Sequence, residues 1–559
     1  MVSTVLIFAS LICLAAAKPV ARSLEIHEAR STAPSQFAQT GPASPDTVLN
    51  LRLSLRSNDV EGLQNTLLEI SDPASASYAQ WLSKEEVEKF VAPSAEAVDA
   101  VTSWLQENGL TATQTSPAGD WFTVSLPVSK ANELLNADFS VFEHMETGAQ
   151  AIRTLQYSIP AGFQQHISLI HPTVQFPVEL TGGPMSAVPL DITSEAFVSE
   201  SCIGIITPQC IQQLYGVPTT PAKDKRNQIG ISAFQSEYAN VADLQQFLKE
   251  YRPDLPWTQN FTVLSVDDGD NSQERLAAGF EADLDIQYTM GIASMVPTNF
   301  IAVGFDNTDG IDGFLDEILF LVNQTSPPQV LTTSYGFDEN SITQELATSL
   351  CNAYAQLGAR GVSVLFSSGD GGVSGSQDQD CFDFQPAFPA SCPFVTTVGG
   401  TTRIDPEEAA SFSSGGFSNY FTIPSYQQSV VTSYVGAMGD TYEGWYNTTG
   451  RGFPDVAAQA VNFSVIHAGS LTGIQGTSAA SPTFASVIGL LNDGLMSKGK
   501  PTLGFLNPLL YANPTALNDI STGNNPGCGT NGFFAGAGWD PVTGLGTPNF
   551  AAMKKLVGA

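Results

Sequence analysis

The sequence predicts an α/β protein: a parallel sheet flanked by helices, preceded by a smaller α+β domain. Two observations carry this. From residue 229 onward, short apolar runs alternate with helix-patterned segments, the signature of parallel strands covered on both faces. Before residue 200 the texture differs. Every Cys outside the first 17 residues, and every Asn-x-Ser/Thr sequon, lies after it. A chain of 559 residues also exceeds one ordinary domain.

Residues 1–17 read as a secretory signal. An apolar run from Val5 to Leu14 precedes the small Ala15 and Ala17, and the segment is too short to span a bilayer. The competing reading is a buried N-terminal helix. No later stretch reaches about 18 uncharged apolar residues, so a secreted, extracellular protein with no membrane partner is expected. Residues 18–195 form the first part. Helices are expected at 83–90 and 95–108, and a strand at 120–126, where apolar and polar residues alternate. Residues 172–200, rich in Pro, Ser, Thr and Gly, read as a linker. Residues 196–559 form the second part. Strands are expected at 229–234, 299–303, 329–334 and 362–366, with helices at 240–251, 311–323 and 341–358 between them. In this architecture ligands sit at the carboxyl ends of the strands.

Composition narrows the function. Lys and Arg number 22 against 55 Asp and Glu, a formal net charge of −33. Such a polyanion repels nucleic acid and anionic membranes. Apolar residues make up 42%, which argues against disorder. A secreted protein for acidic surroundings fits, because protonating surface carboxylates relieves repulsion. Seven Cys occur, and Cys13 leaves with the signal. The remaining six suggest three disulfides of open connectivity, with Cys202–Cys210 the easiest local pairing. Sequons stand at Asn260, Asn323, Asn447 and Asn462.

The second part holds one histidine, His467, in a strand-like run, where a structural role is the simpler reading. A hydrolase built here would therefore use a carboxylate as base. Ser478 is the nucleophile candidate, in Gly476-Thr477-Ser478-Ala479-Ala480-Ser481-Pro482. An apolar helix over 484–491 follows, with Pro482 fitting a first helical turn. Backbone donors at a helix start suit a tetrahedral oxyanion. The plain alternative is that Thr477 or Ser478 merely caps that helix. Glu281 and Asp285 lie four apart, so a helix places them on one face while Asp283 points elsewhere. Close carboxylates share a proton, so one can orient and protonate the other, and such a base works at acid pH. Solvated helix acids are the bland reading. Asp370, in Ser367-Ser368-Gly369-Asp370-Gly371, follows an apolar strand. Protonated, it could hydrogen-bond an oxyanion; otherwise it is an Asp-Gly turn.

These segments, Glu281 to Asp285, Ser367 to Asp370 and Gly476 to Ser478 in that order, resemble the sedolisins, or serine-carboxyl peptidases. Residues 72–87, 414–418 and 451–456 resemble family segments too. The resemblance implies a subtilisin-like fold behind an activation domain. It implies Ser478 as nucleophile, Glu281 as general base and acid, Asp285 as its partner, and Asp370 at the oxyanion. Gly371 departs from the Ser usual there. It also implies one structural Ca²⁺, held by Asp519 and Asp540 with carbonyls of Ile520, Gly536 and Gly538, where composition alone suggests a glycine-rich loop. The expected protein is a monomeric zymogen acting on polypeptides. Its own activation domain blocks the cleft and is cleaved near 190–200. The pattern looks most like secreted fungal tripeptidyl peptidases. An endopeptidase, an inactive binding protein on the same fold and a glycosidase using Glu281 are the rivals. A pepsin-like enzyme is disfavoured because no Asp-Thr-Gly or Asp-Ser-Gly occurs.

Overall fold

The computed structural model describes residues 23–180, 202, 204–305, 307, 309–375 and 381–559. The expected signal (1–17) and maturation region (190–200) lie outside the described residues.

Among the described residues, the second part is built on an eight-stranded sheet. Its order is Thr262–Val266, Thr298–Val303, Ile229–Ala233, Val330–Thr333, Ser363–Ser367 and Thr396–Thr402. The last strand then pairs with both Val456–Gln459 and Glu408–Ala409. All neighbours run parallel except the short Glu408–Ala409 edge. The central strands Ile229–Ala233, Val330–Thr333 and Ser363–Ser367 are buried at every position, as continuous apolar runs require. Chain order reverses across the pair Ile229–Ala233 and Val330–Thr333. A crevice opens beyond the carboxyl ends of strands at such a reversal. The helices Phe280–Ile292 and Thr477–Met496 pack on each other beside it.

The first part is α+β, as expected. Val48–Leu55 is the inner strand of an antiparallel sheet with Trp121–Pro127 and Ile167–His171. Helices Val60–Ser71, Lys84–Val91, Ala95–Glu107 and Val128–Leu135 accompany it. Ser83 starts the second of these through a capping box with Glu86. The two parts share a core: Leu63, Leu67, Val87 and Val91 join one buried cluster with Leu346, Leu350 and Phe314. Leu67 is fully buried, so its truncation to Ala should cost about 2–5 kcal/mol. Trp81 lies against Gly361 and Gly504, where a Cβ would stand 2.5 and 2.4 Å from its ring, and its Nε1–H donates to Thr502 O at 3.0 Å.

One expectation needs correction. Residues 172–180 are not a free spacer. Thr173, Gln175 and Phe176 are buried, Gln175 Nε2 donates to Ser341 O at 2.9 Å, and Val178 N–H donates to Gly310 O at 3.1 Å. Phe176 packs on Phe37 and Phe142 of the activation domain, whereas Gln175 and Val178 reach the peptidase. The disulfides are Cys202–Cys210, Cys351–Cys392 and Cys381–Cys528. The last closes a separation of 147 residues, which loop entropy values at about 5 kcal/mol.

Candidate active site

Ser478 is the second residue of the helix Thr477–Met496. The helix starts earlier than expected, so Pro482 lies inside it rather than in its first turn. Proline has no N–H to give the carbonyl four residues back, which is that of Ser478. A side chain takes the vacancy: Ser334 Oγ lies 3.3 Å from Ser478 O and 3.0 Å from Asp285 Oδ1. Ser334 directly follows the strand Val330–Thr333, at the carboxyl end where the crevice opens. Its own carbonyl accepts the Ser478 hydroxyl at 3.3 Å. Ser334 thus joins the strand end to both helices. Neither Thr477 nor Ser478 is the helix cap; Gly476 holds that place without a side-chain bond.

Glu281 and Asp285 sit one turn apart on the helix Phe280–Ile292, whose surface is enclosed almost all round. Both are 1% exposed. The Glu281 oxygens have no close hydrogen-bond partner among the described residues. Burial raises the Glu281 carboxyl well above its ordinary range, and the charges of Asp285 and Glu237 push it the same way. The Ser478 hydroxyl, at the edge of hydrogen-bonding reach, works in the opposite direction. Burial likewise raises Asp285, against the hydrogen bond from Ser334. The two neighbouring buried carboxyls oppose each other's ionisation and titrate as one unit.

Asp370 is anchored beside the serine. Its Oδ1 accepts Thr477 N–H at 2.8 Å and Thr477 Oγ1 at 2.9 Å. Burial pushes the carboxyl up to about 6 against those bonds. Asp283 turns away, as the helical spacing implies: it accepts Asn240 N–H at 3.0 Å and faces His467 Nδ1 at 3.2 Å. His467 also stacks on Phe280, with ring centroids 3.7 Å apart. The imidazole is held in a structural pair.

Ser478, Glu281, Asp285 and Asp370 thus converge at one end of the sheet, and the arrangement can deliver a hydroxyl to a carbonyl while carboxyls handle the protons. Comparison with known proteins gives the family. Residues 35–176 match the family described as Pro-kumamolisin, activation domain, and residues 305–502 match the Subtilase family. The tripeptidyl-peptidase SED2 of Arthroderma otae is 35% identical, covering 97% of this chain and 98% of that protein. The probable tripeptidyl-peptidase SED3 of Trichophyton verrucosum is 37% identical, covering 94% of each. The chain belongs to the sedolisin family. It is a serine-type peptidase carried behind an activation domain. A solved Pseudomonas sedolisin, complexed with two molecules of pseudo-iodotyrostatin, shares the fold at a TM-score of 0.51 and 24% identity, covering 63% of this chain and 98% of that one.

Sequence reasoning about this sedolisin missed Glu237 and Ser334 as neighbours of the site, and saw in Thr477 a helix cap and not a partner of Asp370. Glu237 Oε2 lies 3.4 Å from Ala282 N, at the start of the Glu281 helix. A Cβ at Gly279 would stand 1.6 Å from that oxygen, so the glycine leaves room for the acid. Its place after the strand Ile229–Ala233 was the available signal.

The expected calcium residues come together. Asp540, fully buried, accepts Gly536 N–H at 3.0 Å, and Asp519 accepts Gly538 N–H at 2.9 Å. Burial pushes Asp540 up to about 7, a carboxyl that a cation would discharge. The donors are hard oxygens of the kind Ca²⁺ takes, so the residues fit the ion by chemistry. No cluster of three His, Cys, Asp or Glu suited to a metal exists among the described residues, so carbonyls would have to complete any site. Of the sequons, Asn260 and Asn323 are exposed, whereas Asn447 spends its amide nitrogen on Ser418 O at 2.8 Å.

Proposed function

We propose that this protein is a secreted zymogen that, once matured, removes tripeptides from free N-termini at acid pH. The observation that carries the reading is the convergence of Ser478 with the Glu281–Asp285 pair, held together through Ser334. Kinship with proteins named tripeptidyl-peptidases over nearly their whole length supports the exopeptidase choice. The boundaries are 1–17 for the signal, 18–195 for the activation domain and 196–559 for the peptidase.

Ser478 Oγ bonds to the peptide carbonyl carbon while its proton passes to the Glu281 carboxylate. Asp285 holds Glu281 in position and shares the remaining proton. Thr477 engages Oδ1 of Asp370, which leaves the other oxygen to carry a proton toward the oxyanion. Glu281 then gives its proton to the leaving amine, and the C–N bond breaks. Water hydrolyses the acyl-enzyme by the same steps in reverse roles. Asp519 and Asp540, with carbonyls of Ile520, Gly536 and Gly538, would hold a Ca²⁺ that stiffens the C-terminal loop.

The deciding experiment incubates the acid-activated protein with one peptide bearing a free N-terminus and with its N-acetylated twin, and identifies products by mass. Successive tripeptides from the free peptide alone support the reading. Internal cleavage of the blocked twin would make it an endopeptidase. The Ser478→Ala protein should release nothing from either.

A further inference from the structure

Asp370 stands in a run of small residues, with Gly369 before it and Gly371 and Gly372 after it. Glycine loses more conformational freedom on ordering than any other residue, so this loop does not hold a carboxyl in place unaided. Position 371 adds no side chain of its own. Two neighbours supply the order. On one side is Thr477, whose hydroxyl also accepts Gly369 N–H at 3.1 Å. On the other side is Ser414, which is fully buried. Ser414 N–H donates to Gly369 O at 2.9 Å, and Ser414 Oγ accepts Gly371 N–H at 3.0 Å. The same hydroxyl points its proton toward Gly375 O at 3.4 Å. A Cβ at Gly369 would stand 3.0 Å from Ser414 Oγ, which shows how closely the serine is seated. Ser414 is itself fixed to the sheet through its neighbour. Ser413 Oγ accepts Gly400 N–H at 2.9 Å, from the strand Thr396–Thr402, and donates to Val542 O at 2.8 Å.

We infer that Ser414 is a positioning residue for the oxyanion side of the reaction: its backbone and hydroxyl clamp both peptide groups flanking Asp370 and transmit the rigidity of the sheet to that carboxyl. The inference rests on the role given to Asp370 above. Groups that meet developing charge act through small tolerances in position, so loosening the clamp should act on turnover rather than on substrate binding. Loosening also admits water around the carboxyl and relaxes the burial that holds it high.

The test compares Ser414→Ala, Asp370→Ala and the double variant, each as the full chain activated at acid pH. Ser414→Ala should lower kcat about tenfold or more with KM within about twofold, and shift the alkaline limb of kcat to lower pH. In the Asp370→Ala background it should cause no further loss beyond about twofold. Ser414→Cys, which keeps the volume but weakens the acceptor, should fall between Ala and wild type, and replaces Ala throughout if the alanine variant does not fold. A normal kcat in Ser414→Ala with a damaged Asp370→Ala overturns the inference alone. So does an equal loss in both backgrounds, or a lower kcat with the limb unmoved. A normal kcat in Asp370→Ala removes the role of Asp370 and this inference with it.

Discussion

Arg52 of the activation domain and Asp316 of the peptidase form a two-pronged ion pair across the seam: Nη2 lies 2.7 Å from Oδ2, and Nη1 meets Oδ1. Both side chains are largely buried, at 15% and 16% exposure. Asp267 and Asp309 add their charges beside them, and Arg153 is a second cation acting on Asp309. Removing Arg52 leaves the largely buried Asp316 without its ion-pair partner. Arg52→Ala should destabilise the zymogen, compared in the Ser478→Ala background so that peptidase activity does not intervene, by about 2–3 kcal/mol. The urea midpoint measures this, and an unchanged midpoint would contradict it.

His171 sits in the same seam, 2% exposed, with Nε2 hydrogen-bonded to the Asp309 carbonyl. Burial, and the charges of Arg153 and Arg52, push its pKa from 6.5 down to about 3. The packed state thus holds a neutral ring. A detached activation domain takes up a proton below 6.5, so detachment gains as pH falls from 6.5 toward 3. Asp267 and Asp309 oppose this. Burial raises them to about 7 and about 6, so they bind protons when packed and favour attachment on acidification. His171→Gln keeps a hydrogen-bond donor but removes the releasing charge. The pH at which half of the zymogen becomes active should move to lower values. A shift upward, or none, would show that the ring does not contribute.

How much of this was legible beforehand depended on whether the cause was local. The strands at 229–233, 330–333 and 363–367 announce themselves because burial on both faces demands unbroken apolar runs. Glu281 and Asp285 share a face because helical spacing requires it, and the same spacing turns Asp283 to His467. The start of the Ser478 helix was misplaced for a non-local reason. Proline signals a first turn, and only Ser334, 144 residues away in sequence, shows how a proline is tolerated deeper in. Glu237 escaped notice in the same way, since it matters only once two strand ends lie side by side. The packed course of 172–178 was hidden by its loop-like composition, because its partners are distant in sequence and lie on both domains.

The C-terminal loop yields a test that leaves the chemistry aside. Asp540 is a buried carboxyl that receives backbone N–H groups from Gly536, Val542 and Thr543 but pairs with no cationic side chain among the described residues. A bound Ca²⁺ would compensate that charge and stabilise the folded state by mass action. Chelation followed by gel filtration should therefore lower the melting temperature, and added Ca²⁺ should restore it. Asp519→Asn should abolish the response to Ca²⁺. A melting temperature indifferent to the ion would reject binding at this loop.

With the role proposed for it, Asp370 should set an upper pH limit on turnover. Its carboxyl must be protonated to donate to the oxyanion, and burial places it at about 6. Activity should be present below that value and fall as pH rises through it. Asp370→Asn supplies an amide donor at every pH. Its kcat at pH about 5 should drop roughly tenfold, because a neutral amide is a weaker donor in this position than a carboxylic acid. Its decline above pH about 6 should flatten. Should the asparagine protein lose activity over the same range as wild type, the limb belongs to the Glu281–Asp285 pair. The oxyanion would then be held by backbone N–H groups alone.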